Sequence, residues 1–210
     1  MEDVLDLYAQ PSDPQRPRIC IDERPCQLLD DVVAPLPAKP GQSAKQDGEY
    51  ARKGTACVFL AYNLETGQRY TEVHRRRTKE DYAAFVASAL SELSHDAKQV
   101  RVVQDNLNTH RFGSFYETFE APQAREIVER LEFHYTPKHA SWLNMAEIEF
   151  SALARQCLDR RIGSLEELAD EVTAWEVERN QRQVRIHWSF TVYDAREKLQ
   201  RQYQRVNTKN

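Results

Sequence analysis

At 210 residues the chain is long enough for one well-buried core with appendages and too short for two full-sized domains. With 40% hydrophobic and 30% charged residues it has the composition of a globular protein, which excludes a disordered chain, and no apolar run approaches the ~20 residues that span a bilayer. A net charge of −4 by itself argues against a nucleic-acid partner, because phosphate binding is driven largely by Lys and Arg.

The start, Met1-Glu2-Asp3-Val4, lacks the basic and apolar stretches of a secretory signal, so a cytosolic location is expected. Cys20, Cys26, Cys57 and Cys157 form no C-x-x-C pair and no zinc-site spacing, and they read as reduced. The charge is unevenly spread. Residues 178–210 hold eight basic side chains (Arg179, Arg182, Arg185, Arg196, Lys198, Arg201, Arg205, Lys209) against three acidic ones, and His74-Arg75-Arg76-Arg77 forms a second basic cluster. Such runs are read first as solvated faces.

Residues 1–17 open with a short amphipathic stretch and continue through Pro11, Pro14 and Pro17, the pattern of a linker. Arg18 to Glu23 is an apolar run ending in acid, the pattern of a buried strand closed by Pro25. The Pro- and Gly-rich stretch 24–54 is expected as a long loop. Thr55–Tyr62 and Gln68–His74, joined by Asn63-Leu64-Glu65-Thr66-Gly67, predict a hairpin. Thr78 with Asp81 at its third following position is a capping box opening a helix whose apolar residues run from Tyr82 to Leu93.

Val100 to Asp105 predicts a fourth strand ending in acid, 122–131 a short helix with Pro122 at its start, and Leu131–Tyr135 a fifth strand. Asn144 to Leu158 contains no Pro or Gly and predicts a helix, and Ser164 caps another through about Val177. Three antiparallel strands followed by β-α-β-α units predict an α/β fold, a five-stranded mixed sheet flanked by helices.

Two acids stand out by position. If the strands ending at Asp22 and Asp105 are parallel neighbours, about 4.8 Å apart, both carboxylates leave one sheet edge together. Two such charges ~5 Å apart repel by roughly 3 kcal/mol at an effective dielectric near 20, which calls for a raised pKa or a cation. All-oxygen ligation favours Mg²⁺ or Mn²⁺. A lone Asp at a strand end is more often the cap of the next turn. A third ligand would come from the helix near Asn144, where Glu147 and Glu149 sit on opposite borders of the apolar stripe, and periodicity does not choose between them.

Three segments together resemble the catalytic motifs of DDE transposases, most nearly the bacterial insertion-sequence branch of the mariner superfamily. They are Ile21-Asp22-Glu23-Arg24-Pro25, Gln104-Asp105-Asn106-Leu107-Asn108-Thr109-His110, and Tyr135-Thr136-Pro137-Lys138-His139 continuing to Leu143-Asn144-Met145-Ala146-Glu147. Gly48 to Thr55 and Trp188 to Arg196 extend the likeness over the chain. Met145 departs from the Pro often found after Asn, and the 41 residues between Asp105 and Glu147 exceed the eukaryotic spacing, an excess placed at Phe112 to Gln123.

The resemblance implies an RNase H-like fold over 18–178, with 1–17 linking to an N-terminal DNA-binding module and 179–210 as a basic extension. It implies a transposase that cleaves and transfers strands at insertion-sequence ends using two Mg²⁺ or Mn²⁺ ions. Asp22, Asp105 and Glu147 would be catalytic and metal-ligating, with Asp22 and Asp105 shared between the ions and Glu147 on one. Lys138, His139, Trp142, Asn144, His110 and Arg24 are the expected DNA contacts, although Asn106, His110 and Asn144 could instead orient ligands or backbone, and Trp142 could pack its loop. Trp175 and Trp188 are assigned to the core. The implied partners are transposon-end and target DNA and a second copy of the chain on DNA, with no membrane, in a bacterial cytoplasm near the nucleoid. A nuclease of the same fold without strand transfer, or an inactive DNA-binding remnant, are the competing readings.

Overall fold

A computed structural model describes residues 1–207, without the side chains of residues 202 and 205–207. Lys209 and the side chain of Arg205, both counted in the basic C-terminal segment, lie outside the described residues. The sheet is built from β1 (Arg18–Asp31), β2 (Tyr50–Asn63), β3 (Arg69–His74), β4 (Val100–Gln104) and β5 (Leu131–Tyr135), in the order β3-β2-β1-β4-β5. β1–β2 and β2–β3 are antiparallel, while β1–β4 and β4–β5 are parallel, so the sheet is mixed as expected.

Strand alternation divides the core in two. Ile19, Ile21, Phe59 and Val102 pack with α2 (Lys79–Ser94), α3 (Phe112–Thr118) and α4 (Ala121–Glu129) on one face. Cys20, Val58, Leu60 and Val103 pack on the other with α1 (Glu2–Ala9), α5 (Ala146–Gln156), α6 (Leu165–Gln181) and α7 (Val192–Lys198). A further helix, α8 (Gln200–Asn207), follows. No helix among the described residues is long and apolar enough to cross a membrane.

Local signals formed as read. Thr78 and Asp81 make both bonds of the capping box of α2. In the β2–β3 turn, Asn63 Oδ1 accepts from the amides of Glu65 (2.8 Å) and Thr66 (3.2 Å). Gly67 closes that turn at φ 74°, and a Cβ there would meet Arg185 Cγ at 2.7 Å, so both backbone and space favour glycine.

Four expectations are corrected. Residues 1–17 are not a linker throughout: Val4, Leu5 and Leu7 of α1 are core residues. The C-terminal end of α1 is held by Arg18, whose Nη1 donates to the carbonyls of Leu7, Tyr8 and Gln10 while its other nitrogens pair with Glu65. Pro25 does not close β1, which runs on to Asp31 and pairs with β2 throughout. β4 accompanies β1 only as far as Cys20, so the outer edge beyond is unpaired and tolerates a residue without an N–H. The 24–54 loop shrinks accordingly to residues 32–49. The stretch near Phe112 is its own helix, α3, with Phe115 in the core. Lastly, the boundary expected between 178 and 179 falls inside α6, and beyond it Asn180, Val184 and Ile186 hydrogen-bond to Arg69 and Tyr62 of the sheet.

Candidate metal centre

Asp22 lies inside β1, two residues beyond Cys20, and so shares the sheet face that carries α5. The parallel register pairs Cys20 with Val103; carried on by two residues in each strand, it sets Asp22 beside Asp105, just past the end of β4. The parallel neighbouring of these two strands is the one the fold adopts, although Asp22 sits in mid-strand and not at a terminus.

Glu147 arrives from the opposite layer, in the first turn of α5. The loop ahead of it is pinned in two places. Tyr8 of α1 donates its hydroxyl to the Leu143 carbonyl at 2.7 Å. Asn144 donates from Nδ2 to the Ile21 carbonyl at 2.8 Å, lies 3.3 Å from Asp22 Oδ2, and accepts from the Ala146 amide at 3.1 Å. One side chain therefore fixes both the strand carrying Asp22 and the start of the helix carrying Glu147.

The Asp22 carboxyl is pushed up to about 7, first by burial and then by the Glu147 carboxylate, with Glu23 and Asp105 adding to the effect against a hydrogen bond from the Glu23 amide. Among the described residues no Lys or Arg forms an ion pair with Asp22, Asp105 or Glu147, so apart from the His110 ring beside Asp105 this negative charge is not met by fixed cations there. Oxygen-only donors carrying unbalanced, partly buried charge fit a hard divalent cation such as Mg²⁺ or Mn²⁺. No three His, Cys, Asp or Glu side chains among the described residues stand close enough together to hold one ion.

Glu149, which periodicity left level with Glu147, has a different fate. It is fully buried, and each of its oxygens accepts from two arginines: Arg69 at 2.6 and 2.9 Å, Arg179 at 3.0 Å twice. Its charge is spent on β3 and α6, which leaves Glu147 as the carboxylate of α5 whose charge acts on Asp22.

The expected DNA contacts divide. Lys138, His139 and Arg24 are exposed, and Trp142 is 42% exposed while stacking on half-buried Trp188 at 6.3 Å. Trp175 is a core residue, as assigned. His110 and Asn144, each 1% exposed, cannot reach a nucleic acid; both face inward because their polar atoms serve the acidic residues. The His110 ring stacks on Tyr82 at 4.5 Å, with Nδ1 2.6 Å from Asp105 Oδ1 and Nε2 3.0 Å from Glu23 Oε2. Burial alone would lower its pKa, but the facing carboxylates of Asp105 and Glu23 outweigh this and bring it to about 9. Glu23 was missed from the sequence, although strand alternation already assigns it to the face opposite Asp22.

Residues 17–169 match the sequence model of a family described as DDE superfamily endonuclease. The chain belongs to this family. Comparison with curated proteins by sequence finds no match. Among solved structures, this DDE endonuclease is similar to a Mos1 mariner paired-end complex with Mn at 17% identity and TM-score 0.56, covering 86% of this chain and 54% of that one. It is likewise similar to a Mos1 transposase paired-end complex with the left transposon end at 16% identity and TM-score 0.56, covering 86% of this chain and 55% of that one. The Mos1 strand transfer complex matches at 16% identity and TM-score 0.55, with 86% and 54% covered. These likenesses establish an RNase H-like α/β fold, and the chain spans about half the length of the proteins in those structures.

Proposed function

We propose that this DDE endonuclease is the catalytic core of a DNA transposase acting at insertion-sequence ends, cleaving a strand and joining the freed 3′-hydroxyl to target DNA. The observation that carries the reading is the electrostatic meeting of Asp22 with Glu147 and Asp105 on one sheet face, with no ion pair from Lys or Arg among the described residues. Asp22, Asp105 and Glu147 would hold two Mg²⁺ or Mn²⁺ ions, which when bound would activate the attacking oxygen and stabilise the leaving one in an in-line displacement.

The chain's own groups have separable tasks. Asn144 keeps Asp22 and the first turn of α5 in fixed relation, so the strand and the helix that carry the two carboxylates are held together. Exposed Lys138 and His139, just past β5, and Arg24, beside α5 through the Phe150 carbonyl, are suited to grip backbone phosphates. Trp142 offers a face to an unstacked base. Transposon-end and target DNA are the proposed partners, with two copies of the chain acting together on DNA in a bacterial cytoplasm.

Nicking of supercoiled plasmid in Mg²⁺ or Mn²⁺ tests the reading, with Asp105→Asn as the control. Metal-dependent nicking that the variant lacks supports it, and equal nicking by both proteins refutes it. Pre-cleaved transposon ends mixed with plasmid then separate a transposase, which joins them, from a nuclease, which does not.

A further inference from the structure

Glu23 has no place among the proposed ligands, yet its side chain is only 4% exposed. A buried carboxylate is retained when something answers its charge. Arg77 reaches it from the surface at 3.8 Å, but the closer partner is buried His110, Nε2 to Oε2 at 3.0 Å. These two atoms are near enough for an ion pair but not aligned for a hydrogen bond. They are the only buried side-chain polar atoms among the described residues that make none.

The imidazole is held from several sides. Tyr82 stacks on it and is itself fixed by a 2.6 Å bond from its hydroxyl to Gln104 Oε1. The His110 carbonyl accepts from Tyr135 Oη at 3.1 Å and from Gln104 Nε2 at 3.3 Å. Asp105, by contrast, lies past the end of β4, and apart from His110 its carboxylate is restrained by the Leu107 amide at 3.2 Å. His110 Nδ1 is 3.3 Å from the Asp105 carbonyl in a hydrogen bond and 2.6 Å from Oδ1 as an ion pair, and the Leu107 amide reaches the same Oδ1, which among the described residues leaves Oδ2 as the oxygen available to a cation.

We infer that Glu23 and His110 are positioning residues for cation binding: Glu23 anchors the ring, and the ring holds Asp105 Oδ1 so that Oδ2 is presented beside Asp22. This rests on the proposed ligand role of Asp22, Asp105 and Glu147. Partners that orient a ligating carboxylate typically contribute about 10- to 100-fold in metal affinity.

The test is Mn²⁺ titration of the metal-free full chain, followed by the paramagnetic resonance signal of free Mn²⁺, with circular dichroism and melting of each variant alongside. His110→Phe keeps the ring against Tyr82 but removes the donor, and should weaken Mn²⁺ about 10-fold or more. His110→Asn loses the stacking but retains a donor where Nδ1 stood, and should recover most of the affinity. Glu23→Gln should fall between them. A role in packing alone predicts the reverse order of the two His110 variants, and that order, or wild-type affinity in His110→Phe, overturns the inference. Should His110→Phe not fold, unchanged affinity in Glu23→Gln overturns it. If wild type binds no Mn²⁺, or Asp22→Asn binds as wild type does, the ligand reading itself fails and this inference with it.

Discussion

Glu147 and Glu149 stand two residues apart on α5 and meet opposite surroundings. Glu149 is sealed between the guanidinium groups of Arg69 and Arg179, while the charge of Glu147 acts on Asp22 and, among the described residues, pairs with no Lys or Arg. The difference between them is about 200° of helical rotation, which turns one toward β3 and α6 and the other toward β1. A carboxylate whose charge the protein meets is part of the structure, and one whose charge is left open is free to serve another role, here the proposed binding of a cation.

That contrast is most easily broken through activity. Glu147→Gln should slow metal-dependent plasmid nicking about a thousand-fold or more, roughly 4 kcal/mol in the barrier, with little change in melting. A retained nicking rate would remove Glu147 from the site. Glu149→Gln should act the other way, costing about 3–5 kcal/mol in urea unfolding because two arginines lose their shared partner. A stability within 1 kcal/mol of wild type, on the order of a single surface contact, would show the cluster to be dispensable.

The same cluster carries a pH signature. Burial works to raise the Glu149 pKa, but the hydrogen bonds and charges of Arg69 and Arg179 outweigh it, so the group titrates below its usual 4.5. The folded state then binds that proton less readily than the unfolded chain. The stabilisation is complete above pH 4.5 and is lost as pH falls through the lower folded value. Urea unfolding across that acid range should show a shallower loss in Glu149→Gln than in wild type, and equal slopes would contradict the assignment.

Smaller effects sharpen the open site. Asp22→Asn without metal at pH 8 should gain about 1–2 kcal/mol of stability, because burial and neighbouring carboxylates disfavour the charge that asparagine lacks. A lower stability would mean that the negative charge is met after all. Smallest, Lys138→Ala should weaken DNA binding evenly across sequences and reduce the salt slope by about 1, and an unchanged slope would take Lys138 off the phosphate path.

Much of the fold was legible because its signals are local. The Thr78 capping box, the Asn63–Gly67 turn and the apolar runs of β4 and β5 each depend on residues within a few positions. β1 beyond Pro25 was not, since a proline is tolerated there only because β4 ends early, a fact about a strand 75 residues away in the chain. Likewise α1 looks like the start of a linker until Arg18 and the core receive it. At the site, the neighbourhood of Asp22 and Asp105 followed from strand ends and pleat. The inward roles of His110 and Asn144 did not, because each is buried by partners from other elements.

From its residues alone the chain specified where strands and helices form, which sheet edge gathers two acids, and a family likeness that singles out Glu147. Only the tertiary structure decided which glutamate of α5 keeps an unanswered charge. Helical periodicity describes one helix against an apolar layer, whereas the charge on Glu149 is answered by arginines 80 and 30 residues away, from a strand and a helix that meet α5 only in the folded molecule.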